Sequence, residues 1–226
     1  MPSPRRLHLP EVPQHVVQRG HSRGLCFIGE ADYLEYLRRL ATASKKYAVA
    51  IHAYVLMTNH VHLLVTAQSE SGIPRLMQSV GAGYVRSFNR RHGRSGTLWE
   101  SRYFTSLVGT DAYFWNCHQY VELNPVRAGI VDRPCEYRWS SYLHNAHGKS
   151  DHVVTPHEAY VALRGPSRSA ADRYREMFAS ELADADLAEI RATLRQERAF
   201  GSEDFLAAVE QAWPCRRSPK PEQTPS

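Results

Sequence analysis

Apolar and polar positions in the first half of the chain follow two periods. Short runs with β-branched and aliphatic residues predict strands, and longer runs with apolar residues three and four apart predict helices. Strands are expected at 15–19, 48–57 and 60–66, with a further one at 98–99 and 103–108. Helices are expected at 32–47, 73–91 and 111–123, the last of them stopped by Pro125. The order is β-α-β-β-α-β followed by one more helix.

This order is the ferredoxin-like pattern of an α+β protein. It predicts an antiparallel sheet with helices on one face, an appended helix after the last strand, and an opposite sheet face left open for a ligand. Helical periodicity returns at 173–198 and 202–213, and residues 216–226 are rich in Pro, Lys and Ser. We therefore expect a catalytic domain at 1–145, a helical C-terminal extension at 146–213 and a disordered tail at 214–226.

Composition narrows the class of protein. The 226 residues are 42% apolar, as expected of a globular chain, and the net charge of +5 favours polyanionic partners such as nucleic acid. The four cysteines, at 26, 117, 135 and 215, contain no C-x-x-C pair, which argues against a zinc ribbon or a disulfide framework and favours a reducing, cytoplasmic setting. No apolar run approaches the ~18 residues of a membrane span, so no membrane partner is expected.

The third predicted strand begins with His60-Val61-His62. Residues two apart in a strand project from the same face, so both imidazoles lie on one side of the sheet. Such a pair is half of a metal site, although a lone His-x-His is more often structural. Imidazole suits several divalent metals, so the pair alone selects none of them.

The last helix of this region supplies a nucleophile and an oxygen donor. Tyr120 and Asn124 are four residues apart and share a helix face, with Asn124 just before Pro125. A tyrosine hydroxyl, with a reference pKa near ~10, needs an activated target to react at neutral pH. The competing nucleophile is Tyr84, whose place on an apolar stripe favours packing.

Two carboxylates are alternative oxygen donors. Glu122 lies two residues from Tyr120 and points to another side of the helix, where a salt bridge is the competing role. Glu100 is the second alternative.

Basic residues cluster in two places. The end of the second helix carries Arg86, Arg90, Arg91 and Arg94, and the loop after the first strand carries Arg19, His21 and Arg23. Charge runs are often only solvated helix faces. The functional alternative is contact with DNA phosphates by the helix residues, while the loop residues read a short single-stranded segment or the foot of a hairpin.

Four segments together resemble the REP-associated tyrosine transposases, single-tyrosine enzymes of the His-hydrophobic-His class related to insertion-sequence transposases. They are 18–20 (QRG), 54–62 (YVLMTNHVH), 96–103 (GTLWESRY) and 120–129 (YVELNPVRAG), in matching order and spacing over about residues 10–145. The chain departs from the family pattern at His21, where Asn is usual.

The resemblance implies a chemistry and assigns residues to it. It implies Mg²⁺ or Mn²⁺ held by His60, His62 and Asn124, with Tyr120 forming a 5′-phosphotyrosine in single-stranded or hairpin DNA. Two other functions stay open: a non-catalytic DNA-binding protein, and a metal-dependent hydrolase without a tyrosyl intermediate. Monomer and homodimer are both compatible with the sequence, as is use of Tyr120 within its own subunit or across a dimer.

Overall fold

The computed structural model describes residues 7–179 and 182–212, so the predicted tail at 214–226 lies outside the described residues. The strands are β1 (Gln14–Arg19), β2 (Val49–Met57), β3 (His60–Ala67), β4 (Phe104–Val108) and β5 (Ala199–Phe200). The longer helices are α1 (Glu30–Lys46), α2 (Gly72–Arg91), α3 (Asp111–Glu122), α7 (Ala170–Met177), α8 (Asp184–Gln196) and α9 (Glu203–Ala212). Short helices are α4 (Asn124–Arg127), α5 (Tyr142–His147) and α6 (Glu158–Ala162).

One sheet organises the described residues, with strand order β2-β3-β1-β4-β5. The first four strands pair antiparallel, as the ferredoxin-like pattern predicts, and β5 joins the edge parallel to β4. The predicted strand segment at 98–99 forms only an isolated bridge, between Trp99 and Gly20. The mixed α+β architecture predicted from the sequence is confirmed.

Helices α1 and α2 cover one face of the sheet. Their buried positions recur every three or four residues, and they pack on Val16, Leu56 and Leu63 of the strands. The fully buried aromatic and aliphatic side chains of this layer are Tyr36, Leu40, Ile73, Leu76, Tyr84 and Phe88. Because the next residue along each strand faces the opposite way, this layer fixes which strand residues face the other side.

The other sheet face is covered as well, in contrast to the open face expected from the sequence. Strand residues Val17, Val55 and Leu64 share a second apolar cluster with residues of α3, and with Ile190 and Leu194 of α8. Alternation along the strands shows that both faces are apolar, but it does not identify the distant helix that covers the second one. The imidazoles at the start of β3 project from this second face.

Residues after 145 form helices but also add a strand to the sheet, whereas the sequence predicts helices only. The stretch 173–198 reads as one helix in the sequence, but the structure divides it into α7 and α8 because the two halves pack on different partners. Tyr174 of α7 is buried against Tyr142 and Ala146, whereas α8 packs on the sheet. Strand β5 then pairs with β4. None of the helices in the described part of the chain has the length and apolar character needed to cross a membrane.

Candidate active site

The two histidines of the His-x-His pair project together from the start of β3. In register they lie opposite Arg19 and Val17 of β1, and their ring centroids are 4.9 Å apart. His62 is buried and His60 is half-buried. The strand geometry thus produces the paired imidazoles that the spacing predicts.

Each imidazole is oriented by a neighbouring side chain. His62 Nδ1 lies 2.9 Å from Nε2 of His15, and His60 Nδ1 lies 2.6 Å from Oδ1 of Asn59. Metal-binding histidines are commonly held in this way through the ring nitrogen that does not bind the ion. No role is predicted for His15 from the sequence, although its place two residues before Val17 puts it on the same face of β1.

The side chain of Asn124 lies beside His60 and raises the pKa of that histidine, against the effect of burial, so the predicted amide donor reaches the histidine pair. Among residues 7–179 and 182–212, no group of three or more His, Cys, Asp and Glu side chains is arranged to hold a metal ion. The predicted donor set is instead two imidazole nitrogens and one amide oxygen. With the Nδ1 atoms of both histidines already engaged, this set fits a divalent ion.

Burial keeps the histidines of this centre uncharged. It lowers the pKa of His60 to about 4, aided by the charge of Arg19 and opposed by the hydrogen bond with Asn124. Burial also lowers the pKa of His15 to about 3, and the pKa of His62 falls well below its usual value for the same main reason. Neutral imidazole is the form that binds a metal, so these rings are ready to bind one at neutral pH.

Tyr120 approaches the histidines from α3. Its ring centroid is 5.6 Å from that of His62 and 5.7 Å from that of His15, in edge-on arrangements. Helix α3 begins at the N-cap Thr110, and α4 begins at Asn124 directly after it. The two helices are separated at Leu123, and Tyr120 on one side of this break and Asn124 on the other both reach the histidine pair.

Arg127 is a residue of the centre to which the sequence assigned no role. Its guanidinium lies 4.5 Å from the Tyr120 ring centroid and donates a hydrogen bond to the Tyr120 backbone carbonyl. Burial lowers the pKa of Arg127 to about 10, and it is still a cation at neutral pH. Its spacing of seven residues from Tyr120, about two helical turns, is the sequence signal that indicates this contact.

The cationic residues predicted at the end of β1 and in the loop after it lie beside the histidines. Arg19 is exposed next to His60 in the sheet, and His21 and Arg23 are exposed in a 3-10 turn that follows. Gly20 between them has to be small, because a side chain there would overlap the carbonyl oxygen of Gly24. The structure thus brings Arg19 to the candidate site and leaves the other two at its margin.

The cations of α2 divide into two kinds. Arg86, Arg90 and Arg94 are exposed at or near the end of the helix, on the sheet face opposite the histidines. Arg91 instead donates to Oδ1 of Asp32 at 2.6 Å, and Asp32 is fully buried. Its guanidinium is occupied within the fold.

The alternatives from the sequence lie elsewhere. The Tyr84 hydroxyl donates to the carbonyl of Cys26 at 2.6 Å, on the other side of the sheet. Glu122 is fully buried, and its carboxylate accepts hydrogen bonds from Ser141, Asn145 and Tyr174 rather than facing the histidines or forming a salt bridge. Glu100 is exposed, and its backbone nitrogen bonds the carbonyl of Arg19.

The sequence model of the IS200-like transposases matches residues 9–124, just over half of the chain. This chain belongs to the IS200-like transposase family. The match covers His15, His60, His62, Tyr120 and Asn124, so the whole candidate centre lies within it. Membership supports a DNA-cleaving and transposing enzyme.

One solved structure supports the fold, and a second shows a weaker similarity. A REP-associated tyrosine transposase bound to a REP hairpin is 16% identical and covers 70% of this chain and 96% of its own, with a TM-score of 0.53. A protein from Deinococcus radiodurans R1, provisionally assigned as a transposase, is 20% identical and covers 53% of this chain and 95% of its own, with a TM-score of 0.37. No curated protein sequence matches the chain significantly.

Proposed function

We propose that this transposase cleaves and rejoins single-stranded or hairpin DNA through a covalent bond to Tyr120. The observation that carries the proposal is that the histidine pair of β3 lies close to the segment that contains Tyr120 and Asn124. The Tyr120 ring centroid lies 5.6 Å from that of His62, while Asn124, four residues later, lies beside His60. A tyrosine that only filled the core would not need this polar neighbourhood.

His60, His62 and Asn124 would hold Mg²⁺ or Mn²⁺ at this centre. A divalent ion there would polarise an oxygen of the scissile phosphate and make the phosphorus more electrophilic. The protein side chains have their own tasks. His15 and Asn59 fix the orientation of the histidine rings, Arg19 attracts the phosphate, and burial of the centre limits competing water.

The proposed step exchanges one phosphodiester for another. The Tyr120 oxygen bonds to phosphorus as the bond from phosphorus to the 3′-oxygen breaks, and the phenolic proton is balanced by the proton that completes the released 3′-hydroxyl. The product is a 5′-phosphotyrosine and a free 3′-hydroxyl end. Because the bond type is conserved, a second 3′-hydroxyl can reverse the step and join strands without a nucleotide cofactor.

We infer a DNA substrate that is unpaired where it is cut. The centre lies against the second sheet face and under α3, so a strand has to leave its duplex to bring one phosphate to Tyr120. Palindromic repeats provide such segments at the foot of their hairpins, and the similar structure named above binds a REP hairpin. We propose that the protein acts in the cytoplasm and associates with the nucleoid when it is bound to DNA.

The test is a covalent-adduct assay with a labelled hairpin oligonucleotide and Mg²⁺. Wild type should form a denaturant-resistant protein–DNA adduct, and Tyr120→Phe should form none while binding the hairpin as tightly. Tyr84→Phe is the matched control and should retain the adduct. An adduct that survives in Tyr120→Phe contradicts the assignment. Binding without cleavage would favour the non-catalytic alternative, and cleavage without an adduct the hydrolase.

A further inference from the structure

Helix α8 carries a cation to the tyrosine side of the centre. Its residues Ile190 and Leu194 are buried in the same apolar cluster as Tyr120 and Val121. Arg191 follows Ile190 directly and is exposed. The packing that holds α8 on α3 therefore fixes the base of the Arg191 side chain close to the nucleophile.

Arg127 contacts the tyrosine on the same side. It is anchored by its contact with the Tyr120 ring and by its hydrogen bond to the backbone. Helix α8 packs on α3 in the shared apolar cluster, and the charge of Arg191 is, after burial, a further cause of the lowered pKa of Arg127. Two cations from separate elements thus meet beside the proposed nucleophile.

Neither arginine forms a salt bridge with a carboxylate in the part of the chain that the structure describes. Several other arginines of the described residues do pair with acids, as Arg133 does with Glu136 and Arg91 does with Asp32. An uncompensated pair of cations is suited to an anion supplied by a ligand.

We propose that Arg127 and Arg191 form a second phosphate site, which holds the phosphodiester next to the scissile one and makes α8 part of the DNA-binding surface. The proposal rests on the proposed function for the identity of its ligand. A guanidinium matches phosphate oxygens through paired N–H donors, and one phosphate between the two groups would relieve their repulsion. Arg19 lies across the histidines, so the strand would be held on both sides of Tyr120.

The first experiment compares Arg191→Ala with Arg195→Ala, which removes the same charge one turn further along α8. Both residues are exposed, so both variants should fold, and thermal unfolding verifies this. Hairpin affinity is measured across a range of salt concentrations. Arg191→Ala should reduce the slope of log affinity against log salt by about 0.7, the contribution of one phosphate contact to a single strand, and Arg195→Ala should leave it unchanged.

The second experiment locates the phosphate. Hairpins are made with a neutral methylphosphonate at each position beside the cleavage site. One of them should bind wild type and Arg195→Ala about three- to tenfold more weakly than the unmodified hairpin, and this loss should be smaller in Arg191→Ala, where only Arg127 still contacts that phosphate.

Equal slopes for the two variants, or a methylphosphonate effect that is undiminished in Arg191→Ala, would overturn the second site. Failure of the proposed function is distinguishable, because wild type would then form no covalent adduct while the affinity slopes still test the arginines.

Discussion

Replacing Tyr174 by phenylalanine removes one hydroxyl from a buried network behind the tyrosine helix. The Tyr174 hydroxyl donates to Oε2 of Glu122 at 2.7 Å and lies 3.0 Å from Nδ1 of His118. The other carboxylate oxygen, Oε1 of Glu122, accepts from Ser141 and from Asn145, the latter at 2.9 Å. Since Glu122 lies midway between Tyr120 and Asn124 in sequence, this network holds the back of the segment that presents both groups.

The cost of the substitution follows from what is lost. The ring of Tyr174 is fully buried, and phenylalanine keeps its apolar contacts, so the change comes from the hydroxyl alone. A hydrogen bond to a carboxylate contributes about 1.5–3 kcal/mol, and His118 loses its partner as well. We expect the free energy of unfolding to fall by about 2–3 kcal/mol, or a melting temperature lower by roughly 5–10 °C for a chain of this size.

Activity should respond differently from binding. A looser junction between α3 and α4 misplaces Tyr120 and Asn124 but leaves the exposed cations in place, so the single-turnover rate of adduct formation should fall at least tenfold with hairpin affinity within twofold. Tyr142→Phe is the control, because Tyr142 packs in the same cluster as Tyr174 but makes no hydrogen bond to Glu122. The reasoning is refuted if both variants behave alike, or if affinity falls in parallel with the rate.

Two further predictions separate structural from functional charges. Arg90→Ala should reduce the slope of log DNA affinity against log salt by about 0.7–0.9 without changing stability. Arg91→Ala should instead lower the free energy of unfolding by about 1–3 kcal/mol, because it leaves the buried Asp32 with fewer partners. Equal salt slopes for the two variants would contradict this division. Burial lowers the pKa of His52 to about 4, so only the unfolded chain binds its proton between about pH 6.5 and 4, and stability falls as pH falls through that window. Denaturant titrations should show that, between about pH 6.5 and 4, the free energy of unfolding falls by about 3 kcal/mol less in His52→Asn than in wild type.

The parts of the candidate site that follow from local spacing rules could be predicted from the sequence. Alternation along β3 places His60 and His62 on one face, and helical spacing places Tyr120 and Asn124 on one side of their segment. Contacts between distant elements could not be derived in this way. Arg90 and Arg91 are adjacent in the same charge run, and only the packing of α1 on α2 gives Arg91 a buried carboxylate.

The second sheet face shows the same limit. An apolar strand face requires a cover, and several helical segments were available to provide it. The sequence placed α3 near this face through the resemblance of its motif, but nothing in the periodicity of 173–198 indicated where that stretch divides. Ile190 and Leu194 reach the sheet only because the chain turns after α7. The second arginine of the phosphate site therefore could not be predicted from its position in the sequence.

The hydrogen bond between Tyr174 and Glu122 also affects the order in which a newly synthesised chain acquires DNA binding and DNA cleavage. It joins residues 52 positions apart, and strand β5 pairs with β4 across a longer interval still. Both contacts need residues that lie after 170, so they form late in synthesis, after the chain that makes the other four strands. The antiparallel sheet with its exposed arginines needs neither contact. A nascent chain would thus acquire affinity for DNA before the tyrosine is locked in place, and cutting would await the last helices.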